Sequence, residues 1–155
     1  MVDKTVRDIM TANPVTVPSS MSVTDAARLM VDRHIGALPV VDGGKLTGLV
    51  TEGDLIMKDI KLEYPTYIHL LDGFIMYPPS TSRFERELKK AVAATVADVM
   101  TAEPHTVQAS SSVEDVATLL VDRDVSRLPV LDGDKLVGIV TKSDVLRSMI
   151  AGAEQ

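Results

Sequence analysis

The sequence predicts a mixed α/β (α+β) fold built from two copies of a strand-helix-strand-strand-helix unit, packed about a pseudo-twofold axis and joined by a helical connector. The first observation is self-similarity. Shifted by 90 positions, residues 6–55 lie over 96–145 without a gap, and about 28 of the 50 aligned positions are identical. That density marks a duplication. The second is punctuation, since each copy alternates helix-period and strand-period apolar patterns separated by Gly, Pro and Asp. The third is size. A unit of about 60 residues buries too little apolar surface to be secure alone, so two are expected to share their burial. The expected boundaries are 1–62 for the first repeat, 63–95 for the connector with a helix over 82–94, and 96–155 for the second repeat.

Each repeat opens on "DIMT" or "DVMT", where Val6, Ile9 and Met10 at i, i+3, i+4 predict a short helix. Pro14 and Pro18 frame a brief extended piece, "VTV". Ser22, with Asp25 three residues on, is a capping-box start. The helix that follows carries Val23, Ala26, Ala27 and Met30 on one face and ends near Arg33. "ALPVVD" reads as a strand, and Pro39 restricts it to a sheet edge or a strand start. "DGGK" is hairpin-turn chemistry. "LTGLV" is the return strand, and a further helix begins at about Thr51. The connector has no counterpart in the repeats. Its apolar part holds Ile68, Phe74 and all three tyrosines between prolines, and suits core, a dimer contact or a flap. Ser82 and Glu85 cap the connector helix, with Phe84, Leu88, Ala91 and Val92 on its apolar face.

Composition narrows function. Hydrophobic residues at 45% and charged residues at 25% are ordinary for a globular chain. Aromatics are only 3%, so the core is aliphatic. A net charge of -6 argues against a general DNA or RNA binder, which needs concentrated Lys and Arg, and weakly against an anionic membrane surface. With no cysteine, disulfides, thiolate metal sites and cysteine nucleophiles are excluded, and a reducing cytoplasm is the expected location. The opening "MVDKTVRDIM" lacks a signal-peptide apolar run, and no stretch approaches the ~20 apolar residues of a membrane span.

"DIMT" and "DVMT", then "LPVVDGGKLTGLVTEGDL" and "LPVLDGDKLVGIVTKSDV", resemble the CBS domain, the repeat named after cystathionine beta-synthase. Two in tandem resemble the paired module that binds adenosine-containing ligands, of the small stand-alone prokaryotic type. The resemblance implies a cytoplasmic regulatory sensor rather than an enzyme. It would bind AMP, ADP or ATP in a cleft between the repeats, form a homodimer and signal to a protein partner in trans. S-adenosylmethionine and NAD are alternative ligands, and a structural module with an empty cleft is the alternative function.

The candidate ligand residues follow from the matching motifs. Thr51 with Asp54, and Thr141 with Asp144, spell T-x-x-D at a helix start. The bland reading is a capping box. The resemblance implies that the aspartate accepts hydrogen bonds from a ribose diol while the hydroxyl residues, including Ser143, lie toward the phosphates. A helix N-terminus also suits phosphate. Thr16 and Val17, and Thr106 and Val107, match the family's first strand, whose backbone holds adenine. "HIGALP" at 34–39 and "DVSRLP" at 124–129 match at the entry to the next strand, giving His34, Ile35, Gly36, Ala37 and Pro39 in the first repeat and Val125, Ser126, Arg127, Leu128 and Pro129 in the second. The plain alternative there is a strand entry with a buried leucine. Arg127 immediately before "LPV" resembles a phosphate contact, bidentate by guanidinium geometry. Its counterpart is Ala37, so one good site and one weaker or different site are expected.

His34, His69 and His105 lie on separate segments without i, i+4 spacing, so no metal site is expected. His34 and His105 match positions facing the family's cleft, where they contact phosphate or simply pack. "VDR" at 31–33 and 121–123 reads as a solvated helix end whose arginine complements the dipole, and the eight methionines read as core filler. Asp54 and Asp144 make a poor acid/base pair, because no nucleophile, base or metal set converges with them. A glycine-rich phosphate loop is also absent; "DGG" is a turn. No catalytic residue or required cofactor is expected.

Overall fold

The computed structural model describes residues 4–56 and 94–153. The expected connector helix over 82–94, the apolar segment 63–80 and His69 lie outside the described residues, apart from Ala94. In chain order the elements are α1 (Val6–Ile9), β1 (Thr11–Ala12), α2 (Val23–Arg33), β2 (Ala37–Asp42), β3 (Lys45–Thr51) and α3, described over 52–56. The second series is α4 (Val96–Val99), β4 (Thr101–Ala102), β5 (Val107–Gln108), α5 (Val113–Asp122), β6 (Arg127–Asp132), β7 (Lys135–Thr141) and α6 (Lys142–Ala153). The mixed α/β class is as the sequence predicts, but the order differs: each repeat adds an unexpected two-residue strand, β1 or β4, and the extended piece expected at 15–17 forms only a single bridge at Val17. Among the described residues no helix is long and apolar enough to cross a membrane.

Local chemistry accounts for the boundaries. Ser22 and Ser112 cap α2 and α5 by accepting from the backbone N–H of Asp25 and Asp115, at 3.0 and 3.1 Å. Both helices run out into a left-handed residue at equivalent positions, His34 (φ 54°) and Asp124 (φ 51°). That conformation ends a helix cleanly and is tolerated better by His and Asp than by β-branched residues. The β2–β3 turn puts both Gly43 (φ 57°) and Gly44 (φ 79°) in the left-handed region, as a two-residue type I′ turn requires.

The chain forms two compact units. Among the described residues, one comprises 4–16, 41–47 and 103–153, and the other 17–40, 48–56 and 94–102. The first holds a four-stranded sheet in the order β1-β7-β6-β5. Here β6 and β7 are an antiparallel hairpin, β5 runs parallel to β6 through Val107–Val130, and β1 is antiparallel to β7 through Thr11–Ile139 and Ala12–Gly138. The second sheet has the order β2-β3-β4, with β4 antiparallel to β3 through Gly48–Ala102 and Leu49–Thr101. Val17 takes the place of β5 there as a single parallel bridge to Val40.

These pairings exchange the leading segments of the two repeats. "DIMTA" of the first repeat joins the sheet of the second, and "DVMTA" of the second joins the sheet of the first. Val6 N–H donates to the Ser111 carbonyl and Val96 N–H to that of Met21, both at 2.8 Å. Arg7 adds an exposed ion pair to Asp132 at 3.0 Å. Gly138 admits this crossing, because a β-carbon there would stand 2.9 Å from the Thr11 carbonyl oxygen and overlap Met10; Gly48 faces Met100 in the same way.

In the first unit Val6, Val107, Val116, Leu120, Leu128, Val130, Val140 and Val145 form one aliphatic cluster, flanked by the half-buried Met10. α5 contributes Val116 and Leu120 at i, i+4. In the second unit the matching buried residues are Val17, Ala26, Met30, Leu38, Val40, Val50 and Val96. The proline expectation needs one correction. Pro39 lies in β2 at a sheet edge, but Pro129 lies in β6, which has neighbours on both sides. The sheet tolerates it because β5 is two residues long and pairs with Val130 and Leu131 rather than with the proline.

Candidate functional site

The candidate residues of the second repeat fall together in the first unit. Strand β6 starts at Arg127, whose register partner on β7 is Thr141, the last strand residue before α6. The Ser126 carbonyl accepts from Lys142 N–H at 3.0 Å, which ties the β6 entry to the start of α6. Asp144 and Thr141 then exchange two hydrogen bonds. Thr141 N–H donates to Asp144 Oδ2 at 2.9 Å, and Asp144 N–H donates to Thr141 Oγ1 at 3.1 Å. The T-x-x-D box is therefore a formed cap. Its carboxylate is 8% exposed, which makes Asp144 the single buried charged residue among those described. A buried carboxylate needs partners. Oδ2 has the Thr141 amide, and Oδ1 accepts from Arg147 Nη2 at 2.5 Å.

Arg127 is half-buried, and its Nε is enclosed without a hydrogen-bond partner among the described residues. An enclosed guanidinium N–H with no acceptor is an unmet demand for an oxygen ligand. Around these groups the other candidates differ in what they offer. Val107, Leu128 and Pro129 are buried, with Val107 and Leu128 in the aliphatic cluster, so they present backbone rather than side chain. Thr106 and Val125 are half-buried; His105, Ser126 and Ser143 are exposed.

The candidates of the first repeat, apart from Thr16, gather in the second unit. Thr51 and Asp54 form the same reciprocal cap, at 2.9 and 3.2 Å. The Gly36 carbonyl accepts from Glu52 N–H at 3.0 Å, as Ser126 does from Lys142. Val17 donates its N–H to the Pro39 carbonyl at 3.1 Å. Val17, Ala37 and Pro39 are buried, Ile35 and Gly36 are half-buried, and Thr16 is exposed and belongs to the other unit. His34 is exposed as the left-handed end of α2, so its residue type serves the helix terminus first. Asp54 is half-buried rather than buried, and among the described residues no arginine meets its carboxylate. The two sets thus share a backbone frame and differ in charge, Arg127 and Arg147 facing Ala37 and Met57 in the repeat alignment.

Arg147 was not singled out by the motifs. Its signal was helical spacing, since an arginine three residues after an aspartate lies on the same helix face. No group of three or more His, Cys, Asp or Glu among the described residues is placed to hold a metal.

The chain is similar to known proteins in both sequence and structure. The family model described as "CBS domain" matches residues 6–61 and 96–151. The chain is 34% identical over 151 residues to the chloroplastic CBS domain-containing protein CBSX2 of Arabidopsis thaliana, covering 94% of this chain and 63% of that protein. The chain therefore spans somewhat under two thirds of that relative. A crystal structure of CBSX2 in complex with AMP superposes with a TM-score of 0.72 at 32% identity, covering 95% of this chain and 96% of that one. The CBS domain pair of protein MJ0100, in complex with 5′-methylthioadenosine and S-adenosyl-L-methionine, superposes with a TM-score of 0.71 at 26% identity, covering 99% of this chain and all of that one.

Proposed function

The chain belongs to the CBS-domain family, and from that premise we propose that it is a regulatory module that binds an adenine nucleotide and signals to a partner in trans. The observation that carries this reading is a buried, capped Asp144 beside an enclosed Arg127 Nε that has no acceptor among the described residues, on adjoining strand and helix ends. A carboxylate accepts both hydroxyl protons of a ribose, and charge-assisted bonds of this kind contribute about 1.5–3 kcal/mol each. The guanidinium and the start of α6 favour a phosphate. Adenosine-type ligands in two structural neighbours support the class.

S-adenosylmethionine is the second reading, favoured by the ligands of the MJ0100 pair. Its only anionic group is the methionine carboxylate, and it offers no phosphate to the start of α6, so we rank AMP, ADP and ATP first. Thr51 and Asp54 lack a matching arginine and form the weaker or differently selective set. We read the module as non-enzymatic, cytoplasmic and homodimeric, with ligand altering the surface offered to its partner through differential affinity for two arrangements.

A thermal-shift panel of AMP, ADP, ATP, S-adenosylmethionine and NAD tests the proposal. Ligand at about 100 times its Kd stabilises by about 2.7 kcal/mol. For a chain of this size that raises Tm by roughly 5–10 °C. No movement with any adenine compound at millimolar concentration would leave a structural or interaction module as the function.

A further inference from the structure

We propose that Arg147 makes the Asp144 site select phosphorylated over neutral adenosine ligands, by competing for a carboxylate oxygen that a bridging ribose diol needs. This rests on the adenosine-binding reading above. Asp144 has two oxygens. Oδ2 is held by the Thr141 amide as part of the helix cap, and giving it up would undo the start of α6. Oδ1 lies outside the cap, and Arg147 Nη2 sits on it at 2.5 Å, so each carboxylate oxygen already has one donor. A ribose diol that bridges both oxygens must share Oδ1 with that guanidinium or displace it.

The two partners differ in mobility. The carboxylate is 8% exposed and fixed by the cap, whereas the Arg147 side chain is 70% exposed. Displacement therefore moves the arginine into solvent or onto the ligand. For a neutral nucleoside, a charged contact to Asp144 is exchanged for neutral hydroxyl contacts, and the arginine gains nothing from the ligand. For a phosphorylated one, the released guanidinium acquires a dianion nearby, and the same displacement is offset. Arg127 attracts phosphate directly, while Arg147 penalises its absence. The first repeat has Met57 at the aligned position.

The test is calorimetric titration of adenosine and of AMP into the wild-type chain, Arg147→Met and Arg147→Lys, each first shown to melt cooperatively. Arg147→Met places the first repeat's residue in the second. An ion pair with one exposed member implies that this change tightens adenosine by about two- to fivefold. AMP should not tighten, so the AMP-to-adenosine affinity ratio falls by at least that factor, while Arg147→Lys retains most of the ratio. An unchanged ratio in Arg147→Met, or weaker adenosine binding, overturns the proposal with the adenosine-binding reading intact. If the wild-type chain binds neither ligand, that reading fails and this proposal fails with it.

Discussion

Gly138→Ala probes the crossing of the leading segments. An alanine β-carbon at Gly138 would lie 2.9 Å from the Thr11 carbonyl oxygen and 3.0 Å from Met10 Cγ, and would overlap Met10 Sδ. Methionine can shift, but the Thr11 carbonyl belongs to β1, which is paired to β7 at Ala12–Gly138 itself. The strand must therefore move off by about half an ångström. Overpacking of this kind costs about 1–3 kcal/mol. Loss of glycine's freedom in the unfolded chain returns about 0.4–1 kcal/mol. The net destabilisation is about 1–2 kcal/mol, or a Tm lower by roughly 2–8 °C. Urea unfolding should show the midpoint falling at constant m-value. Gly152→Ala is the control of opposite sign, because it lies in α6 with nothing within 4 Å of the added carbon. It should stabilise by up to about 1 kcal/mol. A Gly138→Ala protein as stable as wild type would refute the crossed pairing of β1 with β7.

Leu128→Ala removes a side chain that is 1% exposed at the centre of the aliphatic cluster, and should cost about 2–5 kcal/mol in urea unfolding. A loss below about 1 kcal/mol would mean that the site collapses without a cavity. Ser112→Ala deletes the acceptor for Asp115 N–H and should cost about 1 kcal/mol, typical of an N-cap. A neutral effect would show water replacing that cap freely.

The elements within each repeat were legible because local signals agreed. Ser22 and Ser112 announce helix starts, paired glycines announce the turn, and aliphatic periodicity separates strand from helix. The exchange of leading segments was not legible, and duplication is the reason. "DIMTA" and "DVMTA" carry the same apolar positions, and Gly48 and Gly138 offer the same gap to Met100 and Met10. Nothing local states which copy pairs with which. The one asymmetric clue is Arg7, whose partner is Asp132, while the aligned position 97 is alanine. In the candidate site, T-x-x-D was legible as both a cap and a ligand motif, and the geometry shows the cap formed at both positions. Arg127 stood out as an inequality between repeats. Arg147 was not legible because the T-x-x-D motif ends at the aspartate, and the arginine's effect depends on Asp144 being buried, which only packing decides.

The most direct measurement is isothermal titration of AMP into the wild-type chain, Asp144→Ala and Asp54→Ala. Saturable binding is predicted for the wild type. Loss of one charge-assisted bond should weaken it about ten- to a hundredfold in Asp144→Ala, with a smaller effect in Asp54→Ala, which lacks the arginine partners. AMP binding that is equally strong with and without the Asp144 carboxylate would contradict the account.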